Sequence, residues 1–253
     1  MLDQITPIIL TYNEEANLHR TLEQLIWATK ILVIDSSSTD NTLAICSEFD
    51  NVNVVNRSFD CFANQSNFAL SQAGNTEWVL SIDADYIVTP ELILEMQALN
   101  PEADINGYQI EFQYLINGKP LSGSLYPART ALYRKVHARY VQDGHAHRVN
   151  VHGKVSKLNA KIQHDDRKSF GRWLQSQRKY AQEESKKLRL TPWAKLSNVD
   201  KLRKLSLAPF VIFPYTLIIK GVIVDGWPGI LYASQRLIAE VYLQIARVKY
   251  LFH

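Results

Sequence analysis

Cysteine is almost absent from this chain. Only Cys46 and Cys61 occur in 253 residues, which excludes a disulfide framework, and their separation is not a metal-ligand spacing. Both read as reduced core or subsurface thiols in a cytoplasmic setting. No basic segment followed by an apolar stretch opens the sequence, since Met1 to Thr6 leads straight into a strand-like run. Export by a cleaved signal is therefore not expected. An unbroken apolar run of the roughly 20 residues a spanning helix needs is missing too: Leu207 to Ile219 is short, contains Pro209 and Pro214, and is followed by Lys220. No internal repeat is visible. Basic residues are scarce in the first part of the chain, where residues 1–110 hold 16 Asp or Glu against 3 Lys or Arg, a net of −13. Acids are scarce later, where residues 154–204 hold 15 Lys or Arg against 5 acids, a net of +10. An acidic half suits a divalent cation, whereas a basic region wants phosphate, anionic lipid or nucleic acid.

With 46% hydrophobic and 21% charged residues, the chain supports one large core, or a core plus a smaller appendage. Ile5 to Leu10 is a compact apolar, β-branched run that reads as a buried strand, and Ile31 to Ile34, Val52 to Asn56 and Trp78 to Ile82 read as the strands that follow it. Helical spacing lies between them, in Leu18, Leu22, Leu25 and Ile26, in Thr42 to Glu48 and in Asn64 to Ala73. This alternation predicts a mostly parallel sheet covered on both faces, with ligands bound beyond the carboxyl ends of its strands. A helix follows from Pro90 to Met96. Residues 107–160 look β-rich, with alternation through Tyr108 to Phe112, an Asn117-Gly118 turn and a hairpin from His147 to Leu158. Phe170 to Leu190 predicts a basic helix with an apolar stripe of Phe170, Trp173, Leu174, Ala181 and Leu188. The broken apolar run and the amphipathic segment from Ile230 to Leu251 read together as a monotopic patch in a membrane headgroup region. Removal of residues 205–253 is expected to release the protein from membranes.

The acid-rich strand ends carry the chemistry. In Asp83-Ala84-Asp85, a turn lets one carboxylate ligate Mn²⁺ or Mg²⁺ while the other acts through water or a ribose hydroxyl. Asp35 ends the second strand, where it can accept from a base or ribose donor; Asp40 reads as a helix-start carboxylate. Tyr12 can stack on a base and Glu14 can organise its loop, with Asn67 a weaker candidate for the same crevice. His164, before Asp165 and Asp166, suits Mn²⁺ as a third protein ligand. The loop Asp143-Gly144-His145-Ala146-His147 holds three candidates for a general base, His147, Asp143 and His145. Arg129, Arg134 and Arg148 are available for a pyrophosphate or an acceptor phosphate.

The ordered set Ile8 to Glu15, Val33 to Asp40, Asn67 and Ser81 to Asp85 resembles the nucleotide-binding half of the family-2 inverting glycosyltransferases, which have the GT-A fold. More loosely, Tyr126 to Arg129, Leu132 to Arg134, Gly153, Leu158, His164 and the Trp173 to Tyr180 helix are similar to the lipopolysaccharide core β-glucosyltransferases that modify inner-core heptose. The resemblance implies that Thr11, Asn13 and Glu14 with Asp35 hold uridine, and that Asp83 and Asp85 handle ribose and metal, Asp85 as the ligand. It implies that His164 completes the metal site and that Arg129 lies near the diphosphate or the acceptor. Relatives place a glutamate, as the base, where this chain has His147.

The expected fold class is therefore α/β: a GT-A type, mostly parallel nucleotide-binding sheet with a β-containing acceptor subregion and a C-terminal helical, membrane-associating extension. The corresponding divisions are 1–100, 101–168, 169–204 and 205–253. The expected reaction takes a hexose from a UDP-sugar to a phosphorylated glycolipid, the heptose–lipid A inner core, at the anionic cytoplasmic face of a bacterial inner membrane. A UDP-sugar transferase to polyprenyl phosphate or another membrane-lipid-linked saccharide is the alternative within enzymes. A nucleic-acid-binding module is the remote alternative outside them, and nucleic acid is not an expected partner.

Overall fold

A computed structural model describes residues 1–143 and 146–249, with the backbone alone for Asp143, Ala146 and His147. Two compact units emerge. The first contains Met1–Asn117, Tyr126–Gln142 and His147–Arg167; the second contains Gly118–Leu125 and the chain from Lys168 onward.

In the first unit, β1 (Ile5–Thr11), β2 (Ile31–Asp35), β3 (Val52–Asn56) and β4 (Trp78–Asp83) run parallel in the order β3-β2-β1-β4. The apolar runs of β1, β2 and β4 form strands buried on both faces because successive side chains alternate between two cores, whereas the edge strand β3 is partly open to solvent. Ile31 and Val33 join one core with Trp78, Leu80 and Ile82. Leu32 and Ile34 join the other with Val79 and Ile8. The register leaves the carboxyl ends flush, with Thr11 beside Asp35 and Leu10 beside Asp83.

Beyond β4 the sheet is mixed rather than mostly parallel. β5 (Tyr86–Val88), β6 (Ile105–Ile116), β8 (Arg129–Arg134) and β11 (Lys154–His164) complete it in the order β4-β8-β6-β11-β5. Only the β6–β11 pair there is parallel among the described registers. The expected hairpin from His147 to Leu158 does not form. β9 (Ala138–Asp143) and β10 (Ala146–Val151) make their own two-stranded sheet, and β11 leaves to pair with β6 and β5. Local alternation marks a strand but not its partner. The partner here lies about 50 residues upstream, where the alternating buried face of β6 carries Tyr108, Ile110, Phe112 and Tyr114.

Four helices, α1 (Leu18–Glu23), α2 (Thr42–Cys46), α3 (Phe62–Gln72) and α4 (Pro90–Ala98), complete this unit. Leu18, Leu22 and Leu25 are fully buried, which stabilises by about 1.5–3 kcal/mol per side chain. Ile26 does not continue that stripe and is 72% exposed, because α1 ends at Glu23 and the following turn points the residue outward. At α4, Thr89 Oγ1 accepts from Leu92 N at 3.3 Å with Pro90 in the first turn, a start legible in the sequence.

In the second unit, the two-residue β7 (Lys119–Pro120) precedes α5 (Phe170–Leu190), α6 (Asn198–Lys204), α7 (Ala208–Pro214) and α8 (Trp227–Lys249). Ala181 and Leu188 of α5 form a core with Leu196 and with Leu243 and Ala246 of α8. Arg203 of α6 donates to the buried Glu240 of α8 through Nε at 2.9 Å and Nη2 at 2.6 Å. Phe170 departs from the expected stripe: it is half exposed and stacks on Trp173 with ring centres 5.4 Å apart. Among the described residues, no helix is long and apolar enough to cross a membrane.

Candidate active site

The flush ends of β1, β2 and β4 place three polar loops side by side. Thr11 Oγ1 donates to Asp35 Oδ1 at 3.0 Å, and Ser38 N donates to Asp35 Oδ2 at 2.8 Å. Asp35 is fully buried, so its charge shapes the Ser36–Asp40 loop from below. Asn13, in the left-handed region at φ 55°, bridges the two loops. Its N donates to Ser38 Oγ at 2.8 Å, and its Oδ1 accepts from Thr39 N at 2.7 Å. Asparagine tolerates that backbone better than a branched residue. Asp40 accepts from Thr42 N at 3.0 Å and from Glu15 N at 3.2 Å, the helix-start role its position announces. Tyr12 is left 56% exposed, a free aromatic face beside these loops.

The Asp83–Asp85 turn separates its two carboxylates. Asp83 stands 3.9 Å from Arg129, whose guanidinium lies over the Tyr126 ring at 4.7 Å. Asp85 Oδ2 faces His164 Nε2 at 3.2 Å. Both side chains are largely sheltered, at 15% and 13% exposure. The expected trio is thus a pair: among the described residues, no group of three or more His, Cys, Asp or Glu side chains gathers as a metal cage. The pair itself fits a hard cation that completes its shell from substrate. Two neighbouring octahedral ligands with bonds of about 2.1 Å stand about 3.0 Å apart, close to the 3.2 Å observed. His164 Nδ1 is buried with no hydrogen-bond partner among the described residues, so Asp85 is the polar group this imidazole answers to.

Aromatic rings hold that imidazole. Tyr86, Tyr114 and Tyr126 lie 5.2, 4.6 and 5.0 Å from its centre, and the hydroxyls of Tyr86 and Tyr126 bond to each other. Burial pushes both phenols well above the usual tyrosine range. They remain neutral beside the Asp85 carboxylate.

A further group has no sequence signal. Asn17 Nδ2 donates to Glu14 Oε2 and to Asp166 Oδ1, both at 3.0 Å, while Asn17 Oδ1 accepts from Arg20 Nη2 at 3.0 Å and from Arg167 N at 2.8 Å. Asp165, 1% exposed, receives Arg20 Nη1 at 2.9 Å and Arg167 Nε at 2.8 Å. Its own N donates to Asp85 O at 3.1 Å, and Thr21 Oγ1 donates to Ala84 O at 2.7 Å. The β1 loop, the β4 turn and the end of β11 are thereby one hydrogen-bonded unit. Partners some 145 residues apart leave no trace in local spacing.

Asn67 holds the backbone of a neighbouring strand. Its Nδ2 donates to Tyr140 O and its Oδ1 accepts from Tyr140 N, both at 2.9 Å. Both ends of the amide are engaged in clamping β9, whose last residue is Asp143. Tyr140 OH also bonds Ser81 Oγ at 2.8 Å, which anchors β9 to β4. The side chains of Asp143 and His147, and all of His145, lie outside the described residues.

The glycosyl transferase family 2 model matches residues 6–149, which spans the β1 loop, the β4 turn and β9. The chain belongs to that family. It is 28% identical over 213 residues to the "Uncharacterized glycosyltransferase RC0292" of Rickettsia conorii, across 78% of this chain and 74% of that protein. It is 30% identical over 105 residues to the lipopolysaccharide core biosynthesis glycosyltransferase LpsC of Rhizobium meliloti, across 39% of this chain and 38% of that protein. The crystal structure of S. aureus TarS 1-349 superposes with a TM-score of 0.50 at 15% identity, across 97% of this chain and 90% of that one. That likeness speaks for the fold of this glycosyltransferase alone. Membership makes the transferase an enzyme and sets aside the non-enzymatic nucleic-acid reading.

Proposed function

We propose that this transferase moves a hexose, with glucose the candidate, from UDP to the heptose of a lipid A inner core, inverting the anomeric centre. The observation that carries the reading is the sheltered Asp85–His164 pair at 3.2 Å, set beside the Thr11–Glu14 and Asp35–Asp40 loops. Tyr12 offers a face for the uracil ring, and Asn13 and Glu14 order the loop that receives it. Asp83 is left for a ribose hydroxyl, and Arg129 meets the diphosphate from the Tyr126 side. Asp85 and His164 would hold Mn²⁺ or Mg²⁺, which supplies charge to the departing diphosphate. Asp83, turned towards Arg129, is a weaker ligand for it. The acceptor hydroxyl attacks the anomeric carbon as the bond to the diphosphate oxygen breaks. Its proton passes to a base drawn from His147, Asp143 or His145. The likeness to a protein named for lipopolysaccharide core biosynthesis supports the acceptor class. The basic second unit suits a phosphorylated, membrane-held substrate at the cytoplasmic face.

UDP release from a panel of UDP-sugars, with and without Mn²⁺ and with purified heptosylated lipid A, tests this. The expected result is one UDP-hexose whose turnover needs both the cation and the acceptor. Turnover with polyprenyl phosphate and none with the core acceptor would move the acceptor assignment to the lipid phosphate. Absence of release from every UDP-sugar would refute the donor.

A further inference from the structure

Between Leu205 and Ile230, 15 residues are exposed, and 12 of them are apolar. Surfaces of that composition are binding surfaces. The exposed positions in α7 and the following turn recur in pairs every four residues, at Phe210 and Val211, Pro214 and Tyr215, and Ile218 and Ile219. In a pure α-helix a four-residue repeat drifts by about 40° per step. Here Tyr215–Ile219 forms a wider π turn, with Lys220 N donating to Tyr215 O at 3.0 Å. That wider turn takes back the drift and keeps the pairs on one face. Pro214 explains the switch, since it has no N–H for the α-helical bond. A 3₁₀ turn, Val222–Asp225, extends the face with Ile223 and Val224.

This ledge is built rather than slack. Thr216 and Val222 are fully buried beneath it. A Cβ at Gly229 would sit 1.8 Å from Val222 O, and one at Gly123 would sit 2.0 Å from Lys220 O. The backbone is therefore drawn tightly against the start of α8 and the Gly118–Leu125 loop. Yet Phe210 is 79%, Val224 77% and Ile219 69% exposed.

Charge identifies what the face meets. Lys220 is the sole basic residue from Leu205 to Ile230 and Asp225 the sole acid. Asp225 accepts from Ser122 N at 2.8 Å, whereas Lys220 stands exposed at the rim. Lys201 and Lys204 of α6 lie just upstream. We infer that the ledge of α7, the π turn and the 3₁₀ turn docks on an anionic lipid bilayer, with the apolar pairs entering the acyl boundary and Lys220 at the headgroups. A second copy fits less well, because a two-fold contact sets the face against itself, and it offers Lys220 no free acid. α8 then acts as a support behind the ledge, burying Tyr232, Ala233, Leu243 and Ala246 in its own unit. This differs from laying both C-terminal segments in lipid.

The inference deepens the membrane part of the proposed function, and its test is separate from turnover. Full-length protein is floated with vesicles of phosphatidylethanolamine and phosphatidylglycerol, and with phosphatidylcholine alone. The wild type is expected to float with the anionic vesicles. The triple variant Phe210→Ser, Ile219→Ser, Val224→Ser is expected to lose roughly a hundredfold in partitioning, and Lys220→Glu on the order of tenfold. Circular dichroism and hydrolysis of UDP-sugar by water should match wild type in both, because none of these residues belongs to the catalytic site. Wild type that stays in the aqueous fraction overturns the inference. So does a triple variant that floats like wild type, or a wild-type dimer that the triple variant turns into monomers. Wild type that floats but never hydrolyses a UDP-sugar leaves the docking face standing and removes the donor assignment.

Discussion

Replacing Asp85 by Asn tests the proposed cation site with almost no change of shape. The side chain is 15% exposed and its Oδ2 is 3.2 Å from His164 Nε2, so an amide oxygen can keep that contact while the charge and the hard anionic ligand go. In wild type, a cation held at a hundred times its dissociation constant stabilises the fold by about 2.7 kcal/mol. For a chain of this size each kcal/mol raises the melting temperature by about 2–4 °C, so saturating Mn²⁺ with UDP should raise it by roughly 5–10 °C. Asp85→Asn should lose most of that increment. Its metal-free melting temperature should equal or exceed that of wild type, because a sheltered carboxylate amid tyrosine rings is a cost to folding that function imposes. Turnover should fall by about a thousandfold, as several kcal/mol of charge stabilisation of the diphosphate disappear. Circular dichroism melts and a coupled UDP-release assay report both quantities. A variant that keeps turnover within tenfold of wild type, or shows an undiminished Mn²⁺ shift, would refute the site.

Three further outcomes follow from other parts of the fold. Asp165→Asn removes the charge shared by Arg20 and Arg167, whose side chains are 31% and 38% exposed and can rehydrate. The loss should be about 2 kcal/mol or slightly more, seen as a lower melting temperature with a raised KM for the UDP-sugar; an unchanged KM would remove Asp165 from the positioning of that loop. Burial, and then the nearby Asp35 charge, push the Cys46 thiol up to about 11. The native protein at pH 8.5 should therefore alkylate at Cys61 while Cys46 reacts only after denaturation, and mass mapping of rapid labelling at Cys46 would contradict this. Because the folded thiol keeps a proton that the unfolded one releases, this group's contribution to stability is full below about pH 9 and declines towards 11. Asn67→Ala frees the backbone of Tyr140 and should lower turnover more than stability; hydrogen exchange at the Tyr140 amide should rise, and unchanged exchange there would refute the clamp.

β1, β2 and β4 were legible because each is a short apolar run whose end carries a polar residue. Asp35 and Asp83 end β2 and β4 as the runs predict. The α4 start was legible through Pro90, and α5 through its whole length from Phe170 to Leu190. β5 was not, since Tyr86–Val88 is too short to show a period. Nor was the pairing of β11 with β6, because alternation does not encode a distant partner. At the site, Asp85 and His164 were recognisable as ligand types, and the structure brings them together. Their neighbour Asp83 could not be separated from Asp85 by spacing alone: the turn at Ala84 decides which carboxylate meets His164 and which meets Arg129. The bonds of Asn67 to Tyr140 were not legible, because a polar residue on a helix facing a crevice and one clamping a strand have the same sequence appearance.

Asn17 gives the network around it a thermodynamic meaning. One amide side chain touches Glu14 of the first loop and Asp166 and Arg167 beyond the last strand, and Asp165 bonds the backbone of the Asp83–Asp85 turn. Whatever free energy a nucleotide adds by stiffening the first loop is shared with the Asp85–His164 pair. Linkage makes the effect reciprocal: the factor by which UDP tightens the cation is the factor by which the cation tightens UDP. On the proposed function, donor and metal are then read as one composite ligand, and the transferase is expected to discriminate against either partner arriving alone.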